Sequence, residues 1–254
     1  AKLIQVYLNY LINLRKINLE KEREFENQKV QSGDLRKYQD KYYWATNIPI
    51  IRHNSNTFEK IKDKKILEIG CASGNDAISY TKYSSFYCGI DISDEAIKNA
   101  INLKLENSEF LCVEGQKIPK KSEEFDCVVV NSLLHHLDLE KSFQEINRVL
   151  KSGGYLIFKE PLGTNPFFQF YRYLTPLSRT PDERPFTVND IKLMKKYFYL
   201  QKVEWFGFLS VFSAFVQINI LRKFLTFIDF CLGKTFLKIF FWQICGFAIK
   251  KNLK

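Results

Sequence analysis

Lys65-Ile66-Leu67-Glu68-Ile69-Gly70-Cys71-Ala72-Ser73-Gly74-Asn75 carries more of the architecture than any other stretch of the chain. A short apolar run ends in an acid and passes into a turn of small residues, the pattern of a buried parallel strand handing over to a loop and then to a helix. Glycine permits dihedrals closed to other residues and removes the side chain that would hold a ligand off the backbone. A helix beginning after such a loop points free N–H groups at whatever lies there. A Gly-rich turn of this kind occurs in many folds, so its meaning depends on the residues downstream of it.

A regular alternation begins there. Strands are expected at residues 65–69, 86–90, 110–113, 125–130 and 155–159, with a helix near 75–83 after the first. Ser93 can cap the next helix, whose positive end suits Asp94 and Glu95. Asp138 can cap another with Leu139, Phe143, Ile146 and Leu150 on one face, which Lys151-Ser152-Gly153-Gly154 ends through a left-handed glycine. The unbroken apolar run of strand four fits a sheet covered on both faces. Strands alternating with helices imply an α/β, doubly wound, mostly parallel sheet with its ligand at the carboxyl edge.

Both flanks depart from a minimal core. Residues 1–60 read as a helical extension, with the charged run at 20–26 as a solvated face and the tyrosine-rich 32–46 as surface packing or an active-site flap. Residues 61–161 are the ligand-binding core, and 162–254 complete the same domain. The proline-rich segment 160–185, with its polar patch 179–184, suits a lid or binding loop. A helix is expected from Thr187, with Asp190 in a capping-box position. Strand six falls at 199–206, and a last strand at 240–249 is expected as the antiparallel edge. Between these two lies a Phe-rich insertion, 208–239. Its uncharged run 205–221 is 17 residues long, shorter than the ~20 that a spanning helix needs, and is expected mainly as a buried strand and helix or a surface-bound amphipathic element.

Composition narrows the class. The 254 residues are 46% hydrophobic, ample for a large core. The six cysteines form no C-x-x-C pair and lack nearby histidines, so neither a metal site nor a disulfide framework is indicated. That usage, with no signal-like opening, leads us to expect a cytoplasmic protein. The net charge is +10, yet residues 191–254 hold eleven Lys/Arg against two acids, a balance of +9, together with 16 of the 39 aromatic residues. Basic and apolar character therefore coincide, which raises membrane-surface contact as an expectation.

Three further positions give the glycine turn its meaning. Asp91 ends strand two, where a carboxylate can accept both hydrogen bonds of a ribose diol. Glu114-Gly115 lies just past strand three, where a carboxylate and a backbone N–H can read an adenine edge. Asn131 ends strand four. All three lie on one edge of the sheet.

With these residues the sequence resembles the class I S-adenosylmethionine-dependent methyltransferases over roughly 64–161. The resemblance rests on Ile66-Leu67-Glu68-Ile69-Gly70-Cys71-Ala72-Ser73-Gly74, Gly89-Ile90-Asp91-Ile92-Ser93, Glu114-Gly115-Gln116-Lys117-Ile118-Pro119, Phe125-Asp126-Cys127-Val128-Val129-Val130-Asn131, and Leu134-His135-His136-Leu137 running on to Gly154. Ala72 stands where the family usually has glycine. The resemblance implies a Rossmann-like, seven-stranded fold and S-adenosylmethionine as cofactor. The loop Gly70, Cys71, Ala72 and Gly74 would surround its methionine part, Asp91 would hold its ribose, and Glu114 and Gly115 its adenine, with Glu68, Ile92 and Asn131 as further cofactor-binding residues. A nicotinamide site would want G-x-G-x-x-G and would leave the Leu-His-His turn unexplained.

Methyl transfer needs alignment and exclusion of water, plus a base where the acceptor is protonated. His135 and His136 are candidates for that base or for structural bonds within the turn, Glu160 is a candidate for orienting the acceptor, and His53 reads as structural. The turn lacks the Pro-Pro-aromatic arrangement of many amino-group methyltransferases. No nucleic-acid module stands beside the core, so a small hydrophobic or lipid-like acceptor, methylated on oxygen, is expected. The alternatives are an RNA methyltransferase using the basic C-terminal region, and a non-catalytic cofactor-binding protein whose aromatic segment is a dimer or partner interface.

Overall fold

The computed structural model describes residues 18–32, 40–174 and 184–253. The apolar stretch at 3–14, Tyr38 and the patch at 179–183 lie outside the described residues. Seven strands form one sheet: β1 (Lys65–Ile69), β2 (Phe86–Asp91), β3 (Ser108–Cys112), β4 (Phe125–Asn131), β5 (Leu150–Pro161), β6 (Phe198–Phe206) and β7 (Gln243–Lys250). Their order is β3-β2-β1-β4-β5-β7-β6. β1 to β5 run parallel, and β7 runs antiparallel to both neighbours. The expected doubly wound, mostly parallel sheet is what forms.

The helices are α1 (Leu19–Ser32), α2 (Asp40–Ile61), α3 (Ala77–Tyr80), α4 (Asp94–Asn102), α5 (Leu139–Val149), α6 (Pro166–Leu174), α7 (Val188–Tyr197) and α8 (Asn219–Leu232). Because side chains alternate along a strand, β1 sends Leu67 and Ile69 to one face and Ile66 to the other. The first face is covered by Phe143 and Ile146 of α5 and Met194 of α7. The second is covered by Ile61 of α2, Ala77 of α3 and Ile97 of α4. Burial on both faces is why β4 reads as unbroken valine. Each such side chain contributes ~1.5–3 kcal/mol when removed from water.

Local capping behaves as expected at three helices. Ser93 Oγ accepts from Ala96 N at 3.0 Å, and Asp138 Oδ1 accepts from Lys141 N at 3.4 Å. Asp190 Oδ2 accepts from Thr187 N at 2.7 Å, closing the capping box, and its carboxylate also takes both arms of Arg184.

Four local expectations need correcting. The helix near 75–83 is a single turn, because Thr81 and Ser84 hydroxyls donate to the carbonyls of Ala77 and Tyr80 and compete with helix continuation. Leu150 opens β5 instead of ending α5, and Gly153, at φ +73°, belongs to the irregular start of that strand, where the register with β4 shifts. β7 is not the edge. It lies between β5 and β6 with residues 243–248 buried, while β6 carries the exposed side chains of an outer strand. The Phe-rich insertion is not buried: it forms short 3-10 turns (Ser210–Phe215 and Phe236–Phe240) around α8 and exposes much of its apolar surface. Among the described residues no helix is long and apolar enough to cross a membrane.

The described part of the tyrosine-rich segment packs as the start of α2. The ring of Tyr42 meets Phe215 edge-on at 6.0 Å, Tyr43 lies 6.0 Å from Trp242, and Trp44 carries the Arg222 guanidinium 4.3 Å above its ring.

Candidate active site

The carboxyl ends of β2, β1, β4 and β5 bring Asp91, the loop 70–74, Asn131 and Glu160 to one edge. Gly70 N and Cys71 N both donate to Ile90 O, at 2.8 and 3.1 Å, which folds the loop against β2. Gly70 and Gly74 each sit at φ +80°, and a Cβ on Gly70 would lie 2.8 Å from Leu133 Cδ2. Ala72 also takes a left-handed conformation, at φ +45°. Its N–H donates to Asp91 Oδ2 at 2.9 Å, while Asp91 Oδ1 accepts from Ser93 N at 2.9 Å. Asp91 thus clamps the loop of β1 to the cap of α4. Burial pushes its carboxyl above the ordinary value, and the N–H donors pull the other way.

Glu68 is buried at the end of β1 and accepts from Tyr87 Oη at 2.5 Å. Burial, with the negative charge of Asp76 next, raises its pKa to about 8. Asp76 lies 3.4 Å from Asn131 Nδ2, which is equally close to Tyr80 Oη. Cys71 is buried, with its thiol pushed far up by that burial. Glu114 and Gly115 come just after β3, and a Cβ on Gly115 would lie 2.7 Å from Ile69 Cγ2, so only glycine lets this segment lie against β1.

The turn after β4 is held from below. Glu160 is fully buried; its Oε1 accepts from Leu133 N at 2.9 Å and Leu134 N at 2.8 Å, and its Oε2 lies 2.7 Å from His135 Nδ1. Burial raises the Glu160 pKa to about 8 against the opposing pull of the two N–H groups. Glu160 therefore organises the turn and the imidazole, and its carboxylate is engaged there instead of facing an acceptor. The His136 ring lies 4.1 Å from that of His135, tilted by 45°, and its Nδ1 lies 2.8 Å from Glu22 Oε1. Each histidine has a carboxylate at Nδ1, the arrangement that directs proton exchange to Nε2.

Glu22 belongs to α1, part of the expected helical extension, whose contacts beside the site the sequence did not reveal. Arg23 Nε donates to Ile92 O at 3.1 Å, Asn27 Nδ2 to Asp94 Oδ1 at 2.8 Å, and Ser93 Oγ to Asn27 Oδ1 at 2.6 Å. With Glu22 at His136 after β4, and Arg23 and Asn27 at Ile92–Asp94 after β2, α1 bridges the carboxyl ends of the strands on either side of β1. Of the charged run at 20–26, expected as a solvated face, Glu20, Lys21, Arg23 and Glu24 are exposed, while Glu22 is buried, and Glu22 and Arg23 also make these contacts. No local signal marks it, since its partners lie some 65 to 115 positions away. Ile92 contributes its carbonyl to Arg23 and Cys112. His53 stands apart: it is buried, 5.2 Å from the Phe247 ring, and burial lowers its pKa to about 4.

The site suits a cationic nucleoside. Asp76 and Asp91 stand beside the glycine loop with Glu68 buried behind it, and Gly115 lets the segment after β3 pack against Ile69. Among the described residues no cluster of His, Cys, Asp and Glu could hold a metal ion.

Residues 67–158 match a family profile described as a methyltransferase domain. Fold, site and profile together give this chain a methyltransferase domain of the class I S-adenosylmethionine-dependent kind over residues 67–158, with S-adenosylmethionine as its cofactor. Over 112 residues it is 27% identical to phthiotriol/phenolphthiotriol dimycocerosates methyltransferase 1 of Mycobacterium ulcerans, covering 42% of this chain and 41% of that protein. Over 117 residues it is 26% identical to the ubiquinone biosynthesis O-methyltransferase of Coxiella burnetii, covering 44% and 49%. The match thus spans less than half the length of either relative. Among solved structures, geranyl diphosphate C-methyltransferase of Streptomyces coelicolor, crystallised with Mg2+, geranyl diphosphate and S-adenosyl-L-homocysteine, superposes with a TM-score of 0.58 at 12% identity, over 89% of this chain and 84% of that one.

Proposed function

We propose that the protein methylates an oxygen of a small hydrophobic or lipid-like acceptor, with His135 as the base. The observation that carries this reading is the buried Glu160 carboxylate set 2.7 Å from His135 Nδ1 while it anchors the turn through Leu133 and Leu134. S-adenosylmethionine supplies, when bound, an electrophilic methyl group on a sulfonium. That methyl group would pass to the acceptor oxygen and leave S-adenosylhomocysteine as the second product, while this chain's own residues align the acceptor and take its proton. His135 Nε2 takes the hydroxyl proton, and Glu160, in the ionised form that prevails above about pH 8, stabilises the resulting imidazolium as a positioning residue. Asp76 offsets the positive charge of the cofactor's methionine end, beside the loop Gly70 to Gly74. Asp91 holds the ribose, and Glu114 and Gly115 hold the adenine. The α1 helix excludes water.

The names of the similar proteins, which refer to phthiotriol dimycocerosates, ubiquinone and geranyl diphosphate, suit an apolar acceptor. The RNA alternative finds less support, because the cations of the insertion stand among exposed phenylalanines and form no polar stripe. Incubation of the protein with labelled S-adenosylmethionine and fractionated cell extract tests the reading. Label should enter the organic-soluble fraction and should be lost in Asp91→Ala; label confined to RNA, or to no fraction, overturns it.

A further inference from the structure

The α8 helix is built inside out. Its inward stripe is Arg222, Thr226 and Asp229, and its outward stripe is Ile220, Phe224, Phe227 and Phe230. A helix on a water-facing surface does the reverse. The inward polar stripe is structural: Asp229 is 1% exposed and accepts from the N–H groups of Phe208, Leu209 and Ser210 and from the Ser210 hydroxyl, at 2.7–3.1 Å. Arg222 stacks on Trp44 and donates to Trp44 O and Asn47 Oδ1. These bonds fix which face points out. The outward face continues through Phe212, Phe215, Val216, Ile218 and Phe236, each more than half exposed. Monomeric soluble proteins rarely expose a contiguous apolar patch of this kind without a partner for it.

The charge around the patch identifies the partner. Between positions 207 and 242 the sequence has four cations and one acid, and that acid is the buried Asp229. Lys234 lies 4.4 Å over the Phe230 ring and Lys238 lies 5.6 Å over that of Trp205, so the cations sit at the rim of the aromatic surface. A groove between α2 and α8 is lined by Ile48, Arg52, Lys223, Thr226, Phe227 and Phe230. Within it the buried Thr226 hydroxyl has no hydrogen-bond partner. Lys223, an Arg52 that also lies 3.8 Å from Glu204, an unsatisfied hydroxyl and phenylalanine walls match an anionic headgroup above its acyl chains. A second copy across a two-fold axis would set like charges against each other. At 14 residues α8 spans ~21 Å, too short to cross the ~30 Å hydrocarbon core, so it would lie in the interface.

We propose that residues 207–242 form a monotopic seat on a bilayer containing anionic phospholipid. The seat stands at the catalytic edge of the sheet. The insertion leaves from Phe206 and returns at Gln243, which pair with each other, and Gln243 also pairs with Pro161, next to Glu160. A bilayer on this face would deliver an apolar acceptor beside His135, a consequence that rests on the acceptor class proposed above, whereas the seat itself does not.

Flotation of the full chain with vesicles of phosphatidylcholine alone, or mixed equally with phosphatidylglycerol, tests the seat without cofactor or acceptor. The protein should rise with the mixed vesicles at low salt and less with phosphatidylcholine alone. The triple variant Phe224→Ser, Phe227→Ser, Phe230→Ser should lose most flotation, with cofactor binding by calorimetry retained as the sign of an intact fold. Lys223→Glu with Lys234→Glu should weaken flotation selectively on anionic vesicles. The proposal is overturned if the parent stays at the bottom of both gradients, if the serine variant floats like the parent, or if the parent sediments as a lipid-independent dimer that the serine variant dissolves. Failure to float with organic-soluble methylation intact would reject the seat alone. Flotation without methylation of any extract fraction would reject the acceptor reading alone.

Discussion

Asn27 of α1 bridges the two residues that open α4: its Nδ2 donates to Asp94 Oδ1 at 2.8 Å, and its Oδ1 accepts from Ser93 Oγ at 2.6 Å. Ser93 lies two positions beyond Asp91 and one hydrogen bond from the loop clamp, so this bridge ties a helix lying over the site to the residue proposed to hold the ribose.

Removal of the bridge should loosen the cover more than the fold. Two hydrogen bonds of ~0.5–1.5 kcal/mol each are at stake, at the low end for a partly exposed pair. Asn27→Ala should therefore raise the dissociation rate of the cofactor several-fold and change the melting temperature little. Hydrogen exchange reads the mechanism directly: cofactor should protect residues 19–32 in the parent and protect them less in the variant. Equal exchange in that helix with and without cofactor would remove α1 from the site.

Glu160→Gln tests the proton path. The amide oxygen can still accept from Leu133 N and Leu134 N, but its NH2 then faces His135 Nδ1 and leaves the proton on Nε2, the wrong tautomer for a base. The turnover rate should fall ~10²–10⁴-fold, the range that general-base catalysis supplies. Cofactor affinity should be unchanged, because Asp91 and the loop are untouched. His135→Ala should fall within the same range, and the two changes together should cost little more than either. Full turnover in the glutamine variant would assign Glu160 a purely structural role.

The features legible in the sequence were local. The run from Lys65 to Gly74, the acid closing β2 and the caps at Ser93, Asp138 and Thr187 each depend on residues within a few positions of one another. Their patterns carry their own physics. The relation of Glu22 to His136 and of Arg23 to Ile92 depends on partners 114 and 69 positions away, and a row of charges looks the same whether it faces water or a site. The burial of Glu160 was implied by neither its type nor its spacing. The inner place of β7 did have a signal, the apolar run Ile244-Cys245-Gly246-Phe247-Ala248-Ile249, which fits a strand covered on both faces better than an edge. In α8 the usual link between apolar character and burial is reversed, because Asp229 serves as an internal cap for the preceding turn.

The buried acids set a pH dependence of stability. Glu68 and Glu160 have folded pKa values of about 8, against 4.5 for the unconstrained side chain, so the folded state holds protons that the unfolded state releases. Their contribution is fully present below about pH 4.5 and is lost as pH rises toward about 8. His53 acts in the other direction: with its pKa lowered from 6.5 to about 4, its contribution is present above about 6.5 and is lost as pH falls through about 4. The urea midpoint should therefore decline between about pH 6.5 and 8, and Glu68→Gln should flatten part of that decline while still accepting from Tyr87. Parallel curves for parent and variant would exclude Glu68 as a source.

Ala72 offers a gain where most substitutions lose. Its φ of +45° belongs to the left-handed region, which costs a residue with a Cβ ~1–2 kcal/mol and costs glycine nothing comparable. Its methyl group is exposed, so little packing is lost by removing it. Against the gain stands the greater unfolded-state freedom of glycine, ~0.5–1 kcal/mol. Ala72→Gly should stabilise the protein by up to about 1 kcal/mol and raise the melting temperature by ~2–4 °C. The N–H bond to Asp91 does not depend on the side chain, so cofactor affinity should be kept. Gly70→Ala should do the opposite, since its φ is +80° and the added Cβ would press on Leu133 at 2.8 Å. The pair of melting curves separates backbone conformation from side-chain contact: a variant at Ala72 that melts lower than the parent would mean that the alanine holds the loop in place, and that the left-handed turn is stabilised by it.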